Sequence, residues 1–157
     1  MPVYAVDPNQ IRRYVPLACR EDPEDEQTVI LLRGLTDAER TEIMNRAAAQ
    51  QRIKVRAKER GKKADAAQSI PVDMTHALGD VQRLYLSYGI VGWERFYLLG
   101  ADGRPTTEQA EFRTRPAKNG RERPTAATLS YIQEPLRSEL AAEIEEATVI
   151  DEDTAGN

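Results

Sequence analysis

The sequence contains one cysteine and one histidine, and this scarcity removes several kinds of chemistry at once. The single thiol, Cys19, cannot form an intrachain disulfide or supply a multi-cysteine zinc site. Because His76 has no second histidine beside it, a two-histidine metal face and a Cys-His pair with an orienting histidine are excluded as well. We therefore predict no cofactor and no metal, and a catalytic site would have to use carboxylates or lysines.

Long apolar runs and the common enzyme motifs are also missing. No segment approaches the roughly 18 consecutive apolar residues of a membrane span, and the N-terminal residues lack a signal-peptide pattern, so we expect neither membrane insertion nor export. The sequence has no Gly-Lys-Ser/Thr phosphate loop, Gly-x-Gly-x-x-Gly fingerprint, Gly-x-Ser-x-Gly elbow or His-Glu-x-x-His pair. We predict that the chain is not an enzyme.

Charge, in contrast, is abundant and strongly segregated along the 157 residues. The formal net charge is −4, yet residues 21–26 contain five acids, and the chain from residue 139 onward contains seven acids and no base. Residues 52–63 contain seven bases and one acid, and residues 113–123 contain five bases and one acid. We call residues 21–26 the acidic loop. Blocks of one sign are candidates for interaction surfaces.

Two helix starts have clear local signals. Thr36 and Glu39 have the spacing of a capping box, and no breaker follows before Gly61. Beyond residue 52, however, bases alternate with apolar residues at a period of two, which suits a strand as well as a frayed helix. Asp73 can cap a second helix, whose broad apolar stripe ends at Gly89 and predicts the central core helix.

The remaining segments predict short strands and two further helices. Residues 4–17 and 28–33 read as a hairpin across the acidic loop, and residues 90–99 and 108–114 as a second hairpin. Residues 115–123 read as a basic loop. Thr125 can cap a short helix, and Pro135 suits the first turn of the last one.

These elements predict an α+β fold, with a small, mostly antiparallel sheet packed against three or four helices. The predicted organisation is a single domain over residues 1–147, with a basic insert at residues 52–69 and an acidic C-terminal tail at residues 148–157.

Three interpretations of residues 52–63 stay open: a solvated helix end, a surface that docks on an acidic protein, and a nucleic-acid contact. The last is disfavoured because no aromatic residues lie among the bases and the net charge is negative. Trp93 and Phe96 belong either to the core or to an exposed anchor for a partner. Since the chain carries blocks of both signs, head-to-tail contacts between copies would satisfy both, which makes a homo-oligomer or a symmetric assembly a natural hypothesis.

Several short motifs occur in a recognisable order. They are Glu26-Gln27-Thr28, Gly34-Leu35-Thr36, Gly89-Ile90-Val91-Gly92-Trp93 with Phe96, the Asp102-Gly103 turn, Phe112, and Glu139-Leu140-Ala141 with Ile144. In these motifs the chain resembles small proteins encoded in the structural modules of tailed bacteriophages. The basic stretch at residues 52–63 departs from the pattern.

The resemblance implies a non-enzymatic role in phage morphogenesis, through contacts with other phage structural proteins. The expected role is an accessory component of the virion, in the capsid, neck or tail, assembled in the host cytoplasm. One alternative is a tail assembly chaperone that is absent from the mature particle, and another is a small nucleic-acid-binding factor. The candidate partner-binding residues are Arg52, Lys54, Arg56, Lys58, Arg60, Lys62, Lys63, Trp93, Phe96, Arg113, Arg115, Lys118, Arg121 and Arg123.

Overall fold

A computed structural model describes the backbone of residues 7–61 and 72–155 and the side chains of residues 7–52 and 79–147. These ranges contain four α-helices, a short 3₁₀ turn and seven antiparallel strands in three small sheets, so the predicted α+β class is confirmed. The strands are β1 (Ile11–Tyr14), β2 (Val29–Arg33), β3 (Ile90–Glu94), β4 (Tyr97–Leu99), β5 (Pro105–Gln109), β6 (Thr114–Pro116) and β7 (Glu122–Pro124). The helices are α1 (Asp37–Gly61), α2 (Val72–Gly89), α3 (Ala126–Ser130) and α4 (Leu136–Ala155), and the 3₁₀ turn is Leu17–Cys19.

The largest sheet has the order β1-β2-β3. Strands β1 and β2 form the predicted hairpin across the acidic loop, and Tyr14 of β1 lies opposite Ile30 of β2. Along its other edge β2 pairs with β3, where Ile30 lies opposite Trp93. Residues that face each other across antiparallel strands share one side of the sheet, so these three side chains lie on the same face. Ile30 and Leu32 of the central strand are fully buried on this face, which packs against helices.

Helices α2 and α4 supply the other half of the core. Leu86 and Tyr88 from α2 are fully buried, as is Leu140 from α4. The two helices are in close contact at Gly89, where a Cβ atom would lie 2.5 Å from Cδ1 of Ile144. The absence of a side chain at this position lets α4 pack directly on the end of α2.

The three long helices have defined relative directions. The hydroxyl of Tyr88, near the end of α2, donates a hydrogen bond to Glu42, near the start of α1. Because only ten residues connect Gly61 to Val72, the other two ends of these helices also lie on one side of this contact, so α1 and α2 form a helical hairpin and run in broadly opposite directions. Gln82 contacts Ser138 near the start of α4, and the last residue of α2 contacts Ile144 further along α4. Helices α2 and α4 therefore run in the same direction.

Two of the predicted caps, at Thr36 and Thr125, are present, whereas α2 begins at Val72, one residue before the predicted cap Asp73, whose side chain lies outside the described set. The Thr36 hydroxyl accepts a hydrogen bond from the Glu39 amide at 3.3 Å, and the Glu39 carboxylate accepts one from the Thr36 amide at 2.9 Å, as in a capping box. Thr125 caps α3 by accepting a hydrogen bond from the amide of Thr128 at 3.2 Å. Helix α1 continues to Gly61, which decides between strand and helix for residues 52–61 in favour of the helix.

The second hairpin differs from the prediction. Its return strand is β5, at Pro105–Gln109, and the predicted return strand at residues 108–114 is wrong beyond residue 109. The reason is the tight turn at residues 100–103, in which the Gly103 amide donates to the Gly100 carbonyl at 2.9 Å and the chain pairs again immediately. Gly103 has a φ of +75°, a conformation that glycine adopts without strain.

Residues 115–123 form a hairpin rather than the predicted loop. Strands β6 and β7 pair with Arg115 opposite Arg123, and the turn between them has Gly120 at a φ of +77°. Helix α4 continues through Ala155, past the start of the expected acidic tail, since no proline or glycine interrupts it. Among the helices described, none is long and apolar enough to cross a membrane.

Candidate protein-binding surfaces

Trp93 and Phe96 lie in an aromatic cluster at the edge of the core. The Trp93 ring makes edge-to-face contacts with Phe96, Phe112 and Tyr131, with ring centroids at 5.0, 4.8 and 6.3 Å. The Trp93 indole Nε1 donates a hydrogen bond to the Ala110 carbonyl at 2.7 Å. Both candidate residues are partly buried and pack against the core, which favours the core interpretation over that of an exposed anchor.

The second basic stretch contributes a buried ion pair to the fold. Glu39 is 2% exposed, and its carboxylate accepts hydrogen bonds from the Arg121 guanidinium at 2.6 Å and from the side-chain amide of Asn119 at 3.2 Å. The Arg121 guanidinium also donates to the backbone carbonyls of Pro8 and Gly34, both at 3.1 Å. A buried charge is tolerated only when it is paired and hydrogen-bonded in this way, so Arg121 is committed to the interior.

Arg123 is also used within the fold. Its guanidinium lies 3.9 Å from the centroid of the Tyr88 ring, in cation-π geometry. Burial, together with the hydrogen bond to Glu42, raises the pKa of Tyr88 to about 12. Arg33 donates to the Tyr88 carbonyl at 2.9 Å and to the Glu122 carbonyl at 2.8 Å, which ties the β6-β7 hairpin to the end of α2.

The other bases of this hairpin face solvent. Arg113 is exposed and donates to Glu111 at 2.6 Å, and this contact raises the pKa of Arg113 and lowers that of Glu111. Arg115 and Lys118 are exposed and form no ion pair within the described part of the chain. The second basic stretch therefore offers a smaller cationic surface than its sequence indicates.

The first basic stretch occupies the second half of α1. Arg52 is exposed there, and the backbone positions of Lys54, Arg56, Lys58 and Arg60 continue the same helix. Lys62 and Lys63 lie outside the described residues, as does the rest of the predicted insert to residue 69. We call residues 52–61 the basic arm.

The two basic stretches do not form one site. Asn119 and Arg121 contact Glu39 near the start of α1, whereas Arg52 lies 13 residues further along the same helix. At the α-helical rise this separation is about 20 Å along the axis. A single continuous cationic groove between the two stretches is therefore absent from the described surface.

The acidic loop is an ordered turn with exposed carboxylates. The Glu26 amide donates to the Pro23 carbonyl at 2.8 Å, and the Gln27 side chain donates to the Asp22 carbonyl at 2.8 Å. All six residues of the loop are exposed, and its five carboxylates form no ion pair or hydrogen bond with any residue whose side chain is described. The loop is therefore a concentrated negative surface.

The acidic region near the C-terminus is partly used inside the molecule. Glu139 accepts hydrogen bonds from the Tyr14 hydroxyl at 2.8 Å and the Leu17 amide at 2.7 Å, and Glu143 pairs with Arg12 at 3.2 Å. Burial and the Glu139 contact raise the pKa of Tyr14 to about 12. These contacts fix β1 and the following 3₁₀ turn to α4.

Strands β4 and β5 form an exposed apolar surface that the sequence analysis did not single out. Tyr97 is 43% exposed and Leu99 is 71% exposed, while Leu98 between them is half-buried. This alternation of exposure is typical of a strand with one solvated face, but all three residues are apolar, so the sequence carries no apolar-polar alternation that would identify the surface. Two-stranded hairpins are marginally stable alone, so this one is suited to packing against a partner.

No metal-binding cluster occurs among the side chains that the structure describes. Cys19 is partly buried with a free thiol, and the His76 side chain lies outside the described set. No known protein family matches the chain, and no curated protein or solved structure is significantly similar to it. The chain has an α+β fold, and its described surface carries separate acidic, basic and apolar patches.

Proposed function

We propose that this chain is a non-enzymatic structural protein of a tailed bacteriophage, an accessory component of the virion that acts through protein-protein contacts. The observation that carries the proposal is that some charged side chains pair inside the fold while others stay exposed. Inside the fold, Arg121 pairs with Glu39, and Arg123 lies over an aromatic ring. The acidic loop, in contrast, is exposed on an ordered turn, and Arg52 is exposed at the start of the basic arm. Exposed surfaces of opposite sign are typical of proteins that recognise other proteins.

A protein partner fits the molecule better than a nucleic acid does. A nucleic-acid surface gains affinity from many simultaneous phosphate contacts, and two of the five bases in residues 113–123 are engaged inside the fold. The exposed Tyr97 and Leu99 add apolar area of the kind that protein interfaces bury. Measured at about 50 mM salt, DNA binding is expected to be undetectable, and tight binding that weakens steeply with salt would favour the nucleic-acid alternative.

A tail assembly chaperone is the second candidate, and the β4-β5 hairpin is the observation that favours it. A chaperone must cover apolar surface on an unassembled client, and a projecting strand pair with Tyr97 and Leu99 exposed is suited to that contact. The two candidates differ in what happens after assembly: a virion component stays, and a chaperone leaves.

Quantitative mass spectrometry of washed, gradient-purified particles separates them. The virion proposal predicts a fixed copy number that matches a symmetric ring or shell. Absence from washed particles, combined with presence in assembly intermediates, would reject the virion role and support the chaperone. Absence from both would reject the morphogenesis proposal altogether.

A further inference from the structure

The first ten residues of α2 precede the point where this helix meets the start of α4. Gln82 contacts Ser138 near the start of α4, but α2 begins ten residues earlier, at Val72, which is about 15 Å along the helix. Within this part of α2, a Cβ atom at Gly79 would have no neighbouring atom within 4 Å. Because α1 and α2 run in broadly opposite directions, the basic arm and the first part of α2 lie at the same end of the helical hairpin.

The acidic loop lies at the same end of the molecule. Ser138 is followed by Glu139, whose carboxylate accepts the amide hydrogen bond of Leu17. Leu17 opens the 3₁₀ turn that leads directly into the acidic loop. The contacts that place the start of α4 beside Gln82 therefore also place the acidic loop towards the end of the helical hairpin where the arm lies.

Two surfaces of opposite sign at one end of a chain have a specific consequence for association. In a twofold pair, residue i of one copy meets residue j of the other, and j meets i in return. The arm carries five bases and one acid, and the loop carries five acids, so one such pairing would match both surfaces of both copies. Complementary charge of this kind directs association and suppresses wrong partners.

We propose that the basic arm binds the acidic loop of a second copy of this chain, and that two copies exchange this contact reciprocally in a twofold dimer. The inference rests on the proposed function, since it names one of the protein partners. A nucleic acid is a poorer occupant of the arm, because the neighbouring acidic loop would repel its phosphates.

The test uses two charge-reversed full-length chains. The arm-reversed variant carries Arg52→Glu, Lys54→Glu, Arg56→Glu, Lys58→Glu and Arg60→Glu. The loop-reversed variant carries Glu21→Lys, Asp22→Lys, Glu24→Lys, Asp25→Lys and Glu26→Lys. Each variant presents two surfaces of the same sign, whereas an equal mixture again offers opposite signs at both contacts.

Sedimentation velocity gives the readout. The wild-type chain is expected to form a dimer at about 50 mM salt that dissociates as salt screens the charges. Each reversed variant alone is expected to weaken dimerisation by roughly 100-fold or more, because like charges then face each other. The mixture is expected to recover dimers that contain one copy of each variant.

A matched control reverses exposed bases outside the arm. Arg115→Glu with Lys118→Glu changes the charge of the β6-β7 hairpin and is expected to leave dimerisation at the wild-type level. A wild-type chain that remains monomeric would overturn the inference, as would reversed variants that dimerise normally or a mixture that stays monomeric. If the arm-reversed variant fails to fold, the loop-reversed variant and the salt dependence of the wild type still decide the outcome.

The experiment is independent of the test of the proposed function. A monomeric chain that is present in virions at fixed copy number rejects the reciprocal dimer and keeps the virion role. A dimer that is absent from particles and assembly intermediates keeps the contact and rejects the role.

Discussion

The two basic stretches look equivalent in the sequence, but they occupy different positions in the structure. In residues 113–123, Arg121 pairs with buried Glu39, and Arg123 lies over the Tyr88 ring. In residues 52–61, the bases occupy the second half of α1, and Arg52 is exposed. The comparison teaches that a run of bases in the sequence does not by itself define a binding surface, because the fold can pair some of them with a buried carboxylate or an aromatic ring.

The largest expected effect concerns the stretch at residues 113–123, in which Arg121 pairs with the buried Glu39. Arg121→Ala leaves the Glu39 carboxylate buried without its cation, which should lower the free energy of unfolding by about 3 to 5 kcal/mol. Urea denaturation measures the loss. Arg115→Ala, on the same hairpin but exposed, should change stability by less than about 0.5 kcal/mol. Equal, small effects of the two substitutions would mean that the ion pair does not stabilise the fold.

The next effect is a loss of stability at alkaline pH, and it tests the polar contacts of Tyr14 and Tyr88. Their pKa values are raised to about 12 in the folded chain, against roughly 10 for an unfolded tyrosine. The neutral phenol is therefore favoured by folding, so its contribution is complete below pH 10 and disappears as the pH rises through 12.

The expected loss is about 2 kcal/mol for each tyrosine. Urea denaturation of the wild-type chain at several pH values between 9 and about 12 measures it. The double variant Tyr14→Phe with Tyr88→Phe should lose markedly less stability over the same interval. An identical alkaline loss in both chains would show that other groups cause it.

A third prediction compares a packed and an open position of α2. Gly89→Ala should destabilise the fold by about 1 to 3 kcal/mol, because the new methyl group would meet Ile144 at 2.5 Å. Gly79→Ala, in open space on the same helix, should stabilise it by up to about 1 kcal/mol through helix propensity. Thermal unfolding of the two variants gives opposite shifts if Gly89 is packed against α4 and Gly79 has open space around it, and shifts of the same sign would contradict this geometry.

The smallest expected effect concerns the arm itself. Replacing its five bases by glutamine should change the free energy of unfolding by less than about 0.5 kcal/mol, the usual range for substitutions on a protein surface. Urea denaturation again provides the measurement. A loss comparable to that of Arg121→Ala would place the arm bases among the stabilising contacts and remove the distinction between the two stretches.

Local signals account for what the sequence predicted correctly. The capping box at Thr36 and Glu39, the cap at Thr125 and the end of α2 at Gly89 depend on residues that are close in the chain. The α+β class and the hairpin across the acidic loop follow from similar short-range patterns. Ala, Arg, Lys and Gln favour helices, so propensity and the absence of a breaker before Gly61 outweighed the period-two alternation in the arm.

The contacts that distinguish the two basic stretches could not be predicted in this way. Glu39 was recognised as a capping residue, but its ion-pair partner Arg121 lies 82 positions away, and no local pattern encodes that distance. Residues 115–123 read as a loop because the strands on either side of the turn at Asn119 and Gly120 have three residues each, too few for a visible alternation. The exposed face of β4 was not identified because its three residues are all apolar.

The central claim is that the arm binds other chains while the β6-β7 hairpin stabilises the fold. Its most direct test is the copy number of two variants in washed particles, one with the five arm bases changed to glutamine and one with Arg115→Gln and Lys118→Gln. The arm variant is expected to fall by roughly tenfold or more while remaining folded, and the hairpin variant to keep the wild-type copy number. Equal copy numbers in the two variants would contradict the account.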